Sequence, residues 1–145
     1  MSIFTCDEVH WRLVELNIDH ACGLASLVKI IGGRLGIFNI PNIIDVMVYN
    51  SYETVNHALG GSVVVERSLV PGLLSRAILI GSIPYASIED VIVSVVVNRD
   101  LPWYIAIIRE LMRNNNVRNN LRWEWINEVL NRFGFVRYFN EIISQ

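Results

Sequence analysis

Ser87-Ile88-Glu89-Asp90-Val91-Ile92-Val93-Ser94-Val95-Val96-Val97 is the stretch on which the fold class turns. Val91 to Val97 is β-branched almost throughout, a composition that favours a strand. The opening of the stretch argues the other way. Ser87 followed by Asp90 has the form of a capping box, with Asp in place of the usual Glu or Gln. Glu89 and Asp90 would then lie in a first helical turn, where the helix dipole favours acidic side chains. We read residues 88–97 as a helix, with a strand as the alternative.

Working outward, Asp100 and Pro102 open a further helix running to about Arg113. Leu121–Phe133 is helical and stopped by Gly134, and Phe135–Ile143 closes the chain. Upstream, Leu69–Ile80 has helical spacing with Gly81 as its stop. Ser62–Val65 is β-like. Ser51 caps a helix over Tyr52–Leu59 that ends at Gly60-Gly61, and a short helix over Asn42–Asn50 follows Pro41. Asp19 caps a helix reaching Ile31 and stopped by Gly32-Gly33. The first helix spans residues 6–17, with Thr5 as cap, Asp7 and Glu8 in its first turn, and Val9, Leu13 and Leu16 on one face. The expected fold is mainly α: a bundle of seven or eight short helices, with at most a small β-hairpin near residues 61–67, in one domain over residues 1–145.

Apolar residues make up 52% of the 145, charged residues 18%, and mean hydropathy is +0.38. A chain of this length needs no metal or disulfide to build a core, and so apolar a composition predicts burial against a partner, as a homo-oligomer or a subunit of a larger complex. No charge-free run approaches the roughly 20 residues a membrane-spanning helix needs. The longest, Ala77 to Ile88, is broken by Gly81 and Pro84. Asp7, Glu8, His10 and Arg12 exclude a signal peptide at the start. An intracellular, cytoplasmic site is expected, or a virion if the protein is viral.

Arg113-Asn114-Asn115-Asn116-Val117-Arg118-Asn119-Asn120-Leu121-Arg122 holds three arginines, five asparagines and no carboxylate. Guanidinium forks and amide edges grip phosphates, and neighbouring indoles stack on bases. Helical wheels place Trp125 in the core and leave Trp103 and Trp123 for contact. The candidate contact residues are therefore Trp103, Arg113, Asn115, Arg118, Asn119, Arg122 and Trp123, facing DNA, RNA or another protein. The competing interpretation is a solvated, Asn-rich turn between antiparallel helices. Net charge is −2, with −4 over residues 1–66 and +2 over residues 67–145. That is too little basic excess for electrostatics-led coating of a duplex. Eleven of twelve basic residues are arginine, which fits buried interfaces and a thermophilic source, whereas fourteen thermolabile asparagines count against that source.

Other constellations carry less. Cys6, His10, His20 and Cys22 could make a tetrahedral zinc site; we expect instead a packed cysteine with two surface histidines and no metal. A Cys6–Cys22 disulfide is disfavoured in a reducing cytoplasm. Gly32-Gly33-Arg34-Leu35-Gly36 is read as a helix stop rather than a phosphate loop, because Pro41 comes too soon for the helix such a loop needs. Glu89 and Asp90 with Asp100 could hold a divalent cation, but Glu89 and Asp90 are explained as first-turn partners of a helix dipole. No histidine or cysteine follows His57, so acid–base chemistry has few candidates and no enzyme or cofactor is expected.

These readings combine into a non-enzymatic subunit of an oligomeric or nucleoprotein assembly, with sequence-tolerant nucleic-acid contact. The alternative is a protein-interaction module, an adaptor or inhibitor; a small enzyme ranks third. Small subunits of archaeal CRISPR-type complexes and coat or nucleocapsid proteins of archaeal viruses do work of this kind. Residues 40–60 and 84–112 resemble the former in one capped helix after Pro41 and another after Pro84, a likeness that assigns no residue a role.

Overall fold

A computed structural model describes residues 6–37, 39–59, 61–98 and 102–144. Thr5, Gly60 and Asp100, to which sequence assigned cap, stop or helix-opening roles, lie outside them. The chain runs α1 (Asp7–Glu15), β1 (Ala21–Cys22), α2 (Leu24–Ile31), a 3-10 turn (Gly32–Leu35), β2 (Asp45–Val48), α3 (Tyr52–Leu59) and β3 (Val64–Arg67). It continues through a single helical turn α4 (Leu73–Arg76), β4 (Ile78–Ile80), β5 (Ile83–Tyr85), α5 (Ile88–Asn98) and α6 (Pro102–Arg113). The last elements are α7 (Asn115–Asn120), α8 (Trp123–Phe133) and α9 (Val136–Ile143).

The valine-rich stretch is helix. In α5 every residue from Glu89 to Val96 is buried. Ser87 Oγ accepts the Asp90 N–H at 3.0 Å and donates to the Asp90 carboxylate at 2.6 Å, so Ser87 caps the helix, with Asp90 returning to its hydroxyl rather than to its backbone N–H as in a capping box. A β-branched residue costs up to about 0.7 kcal/mol in helix propensity, whereas burying a Val or Ile side chain returns about 1.5–3 kcal/mol. Burial therefore outweighs propensity along this helix.

An all-helical bundle is not what surrounds it. The five strands form one mixed sheet in the order β3-β2-β1-β5-β4. β2 runs antiparallel to β1 and parallel to β3, with α3 as the connection between β2 and β3. β1 runs parallel to β5 through the Cys22–Tyr85 pair, and β4 and β5 form an antiparallel hairpin. Three expected helices are overturned. Asn42–Asn50 is strand β2, whose four residues Asp-Val-Met-Val are all buried; so is the ground for the likeness after Pro41. Leu69–Ile80 is one helical turn and strand β4. Residues 61–67 supply β3, which pairs in parallel with β2 and belongs to no hairpin.

The third overturned helix is the one capped by Asp19. Ala21 and Cys22 are strand, and α2 starts at Leu24. Its cap comes from another element. The buried Asp45 carboxylate on β2 accepts the Ala25 and Ser26 N–H groups, each at 2.9 Å, and the Ser26 hydroxyl at 2.8 Å. Tyr104 of α6 donates its phenol O–H to the same carboxylate at 2.6 Å. A Cβ on Gly23 would overlap this carboxylate, so the close approach requires glycine there. Asp45 thus fastens sheet, α2 and α6 together.

Asp90 has a different partner set. Arg76 meets it with Nε at 2.9 Å and Nη2 at 2.8 Å, both groups largely buried. Among the described residues no buried side-chain polar atom lacks a partner, and no helix is long and apolar enough to cross a membrane.

Candidate nucleic-acid interface

The Arg/Asn stretch is a helix, not an open turn. Asn114 caps α7, its side chain accepting the Val117 N–H at 3.2 Å. Six residues cannot hold a helix alone in water, and α7 buries none of its own side chains. It is held from its ends. Trp123 donates its indole N–H to the Arg118 carbonyl at 2.8 Å, and the Arg122 N–H donates to Glu89 at 2.9 Å.

This arrangement sorts the candidate contact residues. Arg113, Asn115 and Arg118 are exposed and line one shallow cavity of about 230 Å³ with Arg109, Met112 and Ile143. Asn119 is exposed but does not line it. Arg122 is drawn away, its guanidinium 3.8 Å from Glu89 of α5. Trp123 is half-buried, 6.0 Å from the Phe139 ring. Trp103 is half-buried and lies against Tyr104 at 3.7 Å. Neither indole is the open platform the wheels predicted. Trp125 is likewise half-buried rather than core, with the Arg76 guanidinium 4.9 Å over its ring.

Arg109 is the residue missed from sequence. It stands one helical turn before Arg113 and donates from Nε to the Ile142 carbonyl at 3.3 Å, near the end of α9. The i, i+4 spacing of the two arginines was its available signal. The lining thus holds three arginines and one asparagine, and among the described residues no carboxylate lines it. Glu141 on α9 pairs instead with Arg137, at 4.0 Å.

The remaining clusters are internally matched. Cys6 and Cys22 form a disulfide, with Cα atoms 6.1 Å apart, although a reducing compartment would disfavour one. The histidines are not at the surface: His10 and His20 are both buried and meet each other, Nδ1 to Nε2, at 2.7 Å. His20 Nδ1–H donates to the Ile18 carbonyl at 2.8 Å, which makes its Nε2 the acceptor from His10 in the neutral pair. Burial pushes both imidazoles below the usual histidine range, opposed by Asp7 at His10 and by the Ile18 carbonyl and Asp19 at His20. Among the described residues no three His, Cys, Asp or Glu side chains are grouped to hold a metal ion. Glu89 and Asp90 face Arg122 and Arg76. Gly36 ends the 3-10 turn with φ 76°, the Ile37 N–H returning to the Gly32 carbonyl at 2.8 Å.

No family model, curated protein or solved structure matches the chain.

Proposed function

We propose that this chain is a non-enzymatic subunit of an oligomeric or nucleoprotein assembly that touches nucleic acid through the Arg109/Arg113/Arg118 cradle. The observation that carries this reading is the composition of that cavity: three arginines and Asn115 beside Met112 and Ile143, with no carboxylate among the described residues that line it. Guanidinium forks match phosphate oxygens in two-point contacts. Such contacts position a backbone and carry no base information, so binding is sequence-tolerant and falls with salt. The buried polar clusters at Asp45 and Asp90 support a contact role over a chemical one, because internal partners already occupy them.

Fluorescence anisotropy of a labelled single-stranded oligonucleotide tests the reading. The wild-type protein binds at low salt, and the Arg113→Ala/Arg118→Ala double variant binds at least about tenfold more weakly, as loss of roughly 1.4 kcal/mol implies. Absence of wild-type binding at low salt, or equal binding by the variant, overturns it.

A further inference from the structure

The two edges of the sheet are finished differently. β3 carries Glu66 and Arg67 and packs against α3, and Arg67 pairs with Glu53 of that helix at 3.0 Å. Charge and a covering helix are the usual protections of an exposed edge. β4 carries no charged residue of its own. It is Ile-Leu-Ile, with Ile78 40% and Leu79 69% exposed, inside a run from Ala77 to Ile88 with no charged residue.

The hairpin register shows which backbone groups that edge presents. Gly81-Ser82 is a two-residue turn with Gly81 at φ 64°, and Ile80 pairs with Ile83. The residues closing a two-residue turn exchange both their hydrogen bonds, and the pattern alternates along an antiparallel pair. Ile78 and Ile80 therefore bond inward to β5, while the N–H and C=O of Leu79 point out of the sheet. The partner of Leu79 across the hairpin is Pro84, whose own backbone faces β1. Beside this strand, Leu79, Val14, Leu74 and Pro84 line a groove of about 640 Å³, in which Asp19 is the one carboxylate among the described residues.

We propose that β4 pairs with β4 of a second copy of this chain, antiparallel about a two-fold axis through Leu79, joining two five-stranded sheets into one of ten. A two-fold places each residue beside its own copy, so a charged edge repels itself; this edge has no charge to repel. At the axis, each Leu79 N–H donates to the other copy's Leu79 carbonyl, and the two leucine side chains meet between the paired grooves. This names the copy-to-copy contact of the assembly reading and rests on that reading only for the expectation that copies associate.

Sedimentation velocity without nucleic acid, over a range of concentrations, gives the test. Wild type sediments as a dimer. Leu79→Lys and Leu79→Pro sediment as monomers, the proline removing only an N–H that β5 does not use. Arg113→Ala/Arg118→Ala remains dimeric, which separates this contact from nucleic-acid binding. Leu79→Cys gives a second readout should those variants unfold. Directly paired Cα atoms lie about 5.5 Å apart, within disulfide reach, and the described cysteines are already bonded to each other. Mild oxidation then yields a covalent dimer. A wild-type monomer at every concentration, even one that binds an added Ile-Leu-Ile strand peptide, overturns the proposal. So do folded Leu79 variants that dimerise like wild type, or an oxidised Leu79→Cys protein that stays monomeric.

Discussion

Asp45 and the arginine cradle hold similar numbers of polar groups and use them in opposite ways. At Asp45 a buried carboxylate receives four donors from α2 and α6. At the cradle, Arg113 and Arg118 stand exposed beside Arg109, with no carboxylate among the described residues of the lining. Matched, buried groups hold elements together; clustered, exposed groups of one sign are available to a ligand. Substitutions should therefore split into those that lower stability and those that lower binding, and the two sets should not overlap.

The largest effect is expected at the buried site. Asp45→Ala leaves the Ala25 and Ser26 N–H groups and the Tyr104 hydroxyl without their acceptor. At about 1–3 kcal/mol for each buried group left unsatisfied, the loss is about 4 kcal/mol, read as a fall in the urea midpoint. A midpoint close to wild type would break the comparison. Next is Arg76→Ala, which strands the Asp90 carboxylate in the interior and uncovers Trp125. We expect a loss of about 3 kcal/mol, with oligonucleotide affinity of the folded fraction unchanged.

Acid sharpens the same division. Both His10 and His20 have pKa values lowered by burial, so the folded state prefers them neutral. The unfolded chain, with histidines near 6.5, then takes up protons first. The stability from these groups is complete above that pH and is lost as pH falls from there through their lower folded values. The 2.7 Å contact between Nδ1 and Nε2 has room for one proton between the rings, which adds to the cost of charging both. Denaturant midpoints measured downward from pH 7 should fall for wild type and fall less for His10→Gln/His20→Gln. Parallel curves would contradict this account of the pair.

The smallest stability change is expected at the cradle. Arg113→Ala/Arg118→Ala should stay within about 0.5 kcal/mol of wild type, as surface substitutions do.

The same contrast explains what was legible in sequence. Helices with their own signals were readable: α5 from Ser87 and Asp90, α8 from its apolar spacing and Gly134, α3 from Ser51. The sheet was not. Its strands are two to four residues long, too short for alternation to register, and β2 looks helical until its partners are known. The cap of α2 was hidden because its acceptor, Asp45, lies twenty residues beyond the Ala25 N–H that it receives. At the cradle, sequence grouped Arg113, Asn115 and Arg118, since they lie close along the chain. It did not show the partners that the fold supplies to Arg122, Trp103 and Trp123, namely Glu89, Tyr104, Phe139 and the Arg118 carbonyl. Arg109 escaped notice because its role depends on α9 folding back beside α6.

The most direct test of the cradle is the salt dependence of single-stranded oligonucleotide binding. Arg113 and Arg118 releasing counterions from a single strand give a slope of log affinity against log salt of about −1.4. The account predicts that slope for wild type and a clearly flatter one for Arg113→Ala/Arg118→Ala. A wild-type affinity independent of salt, or equal slopes for the two proteins, would contradict it.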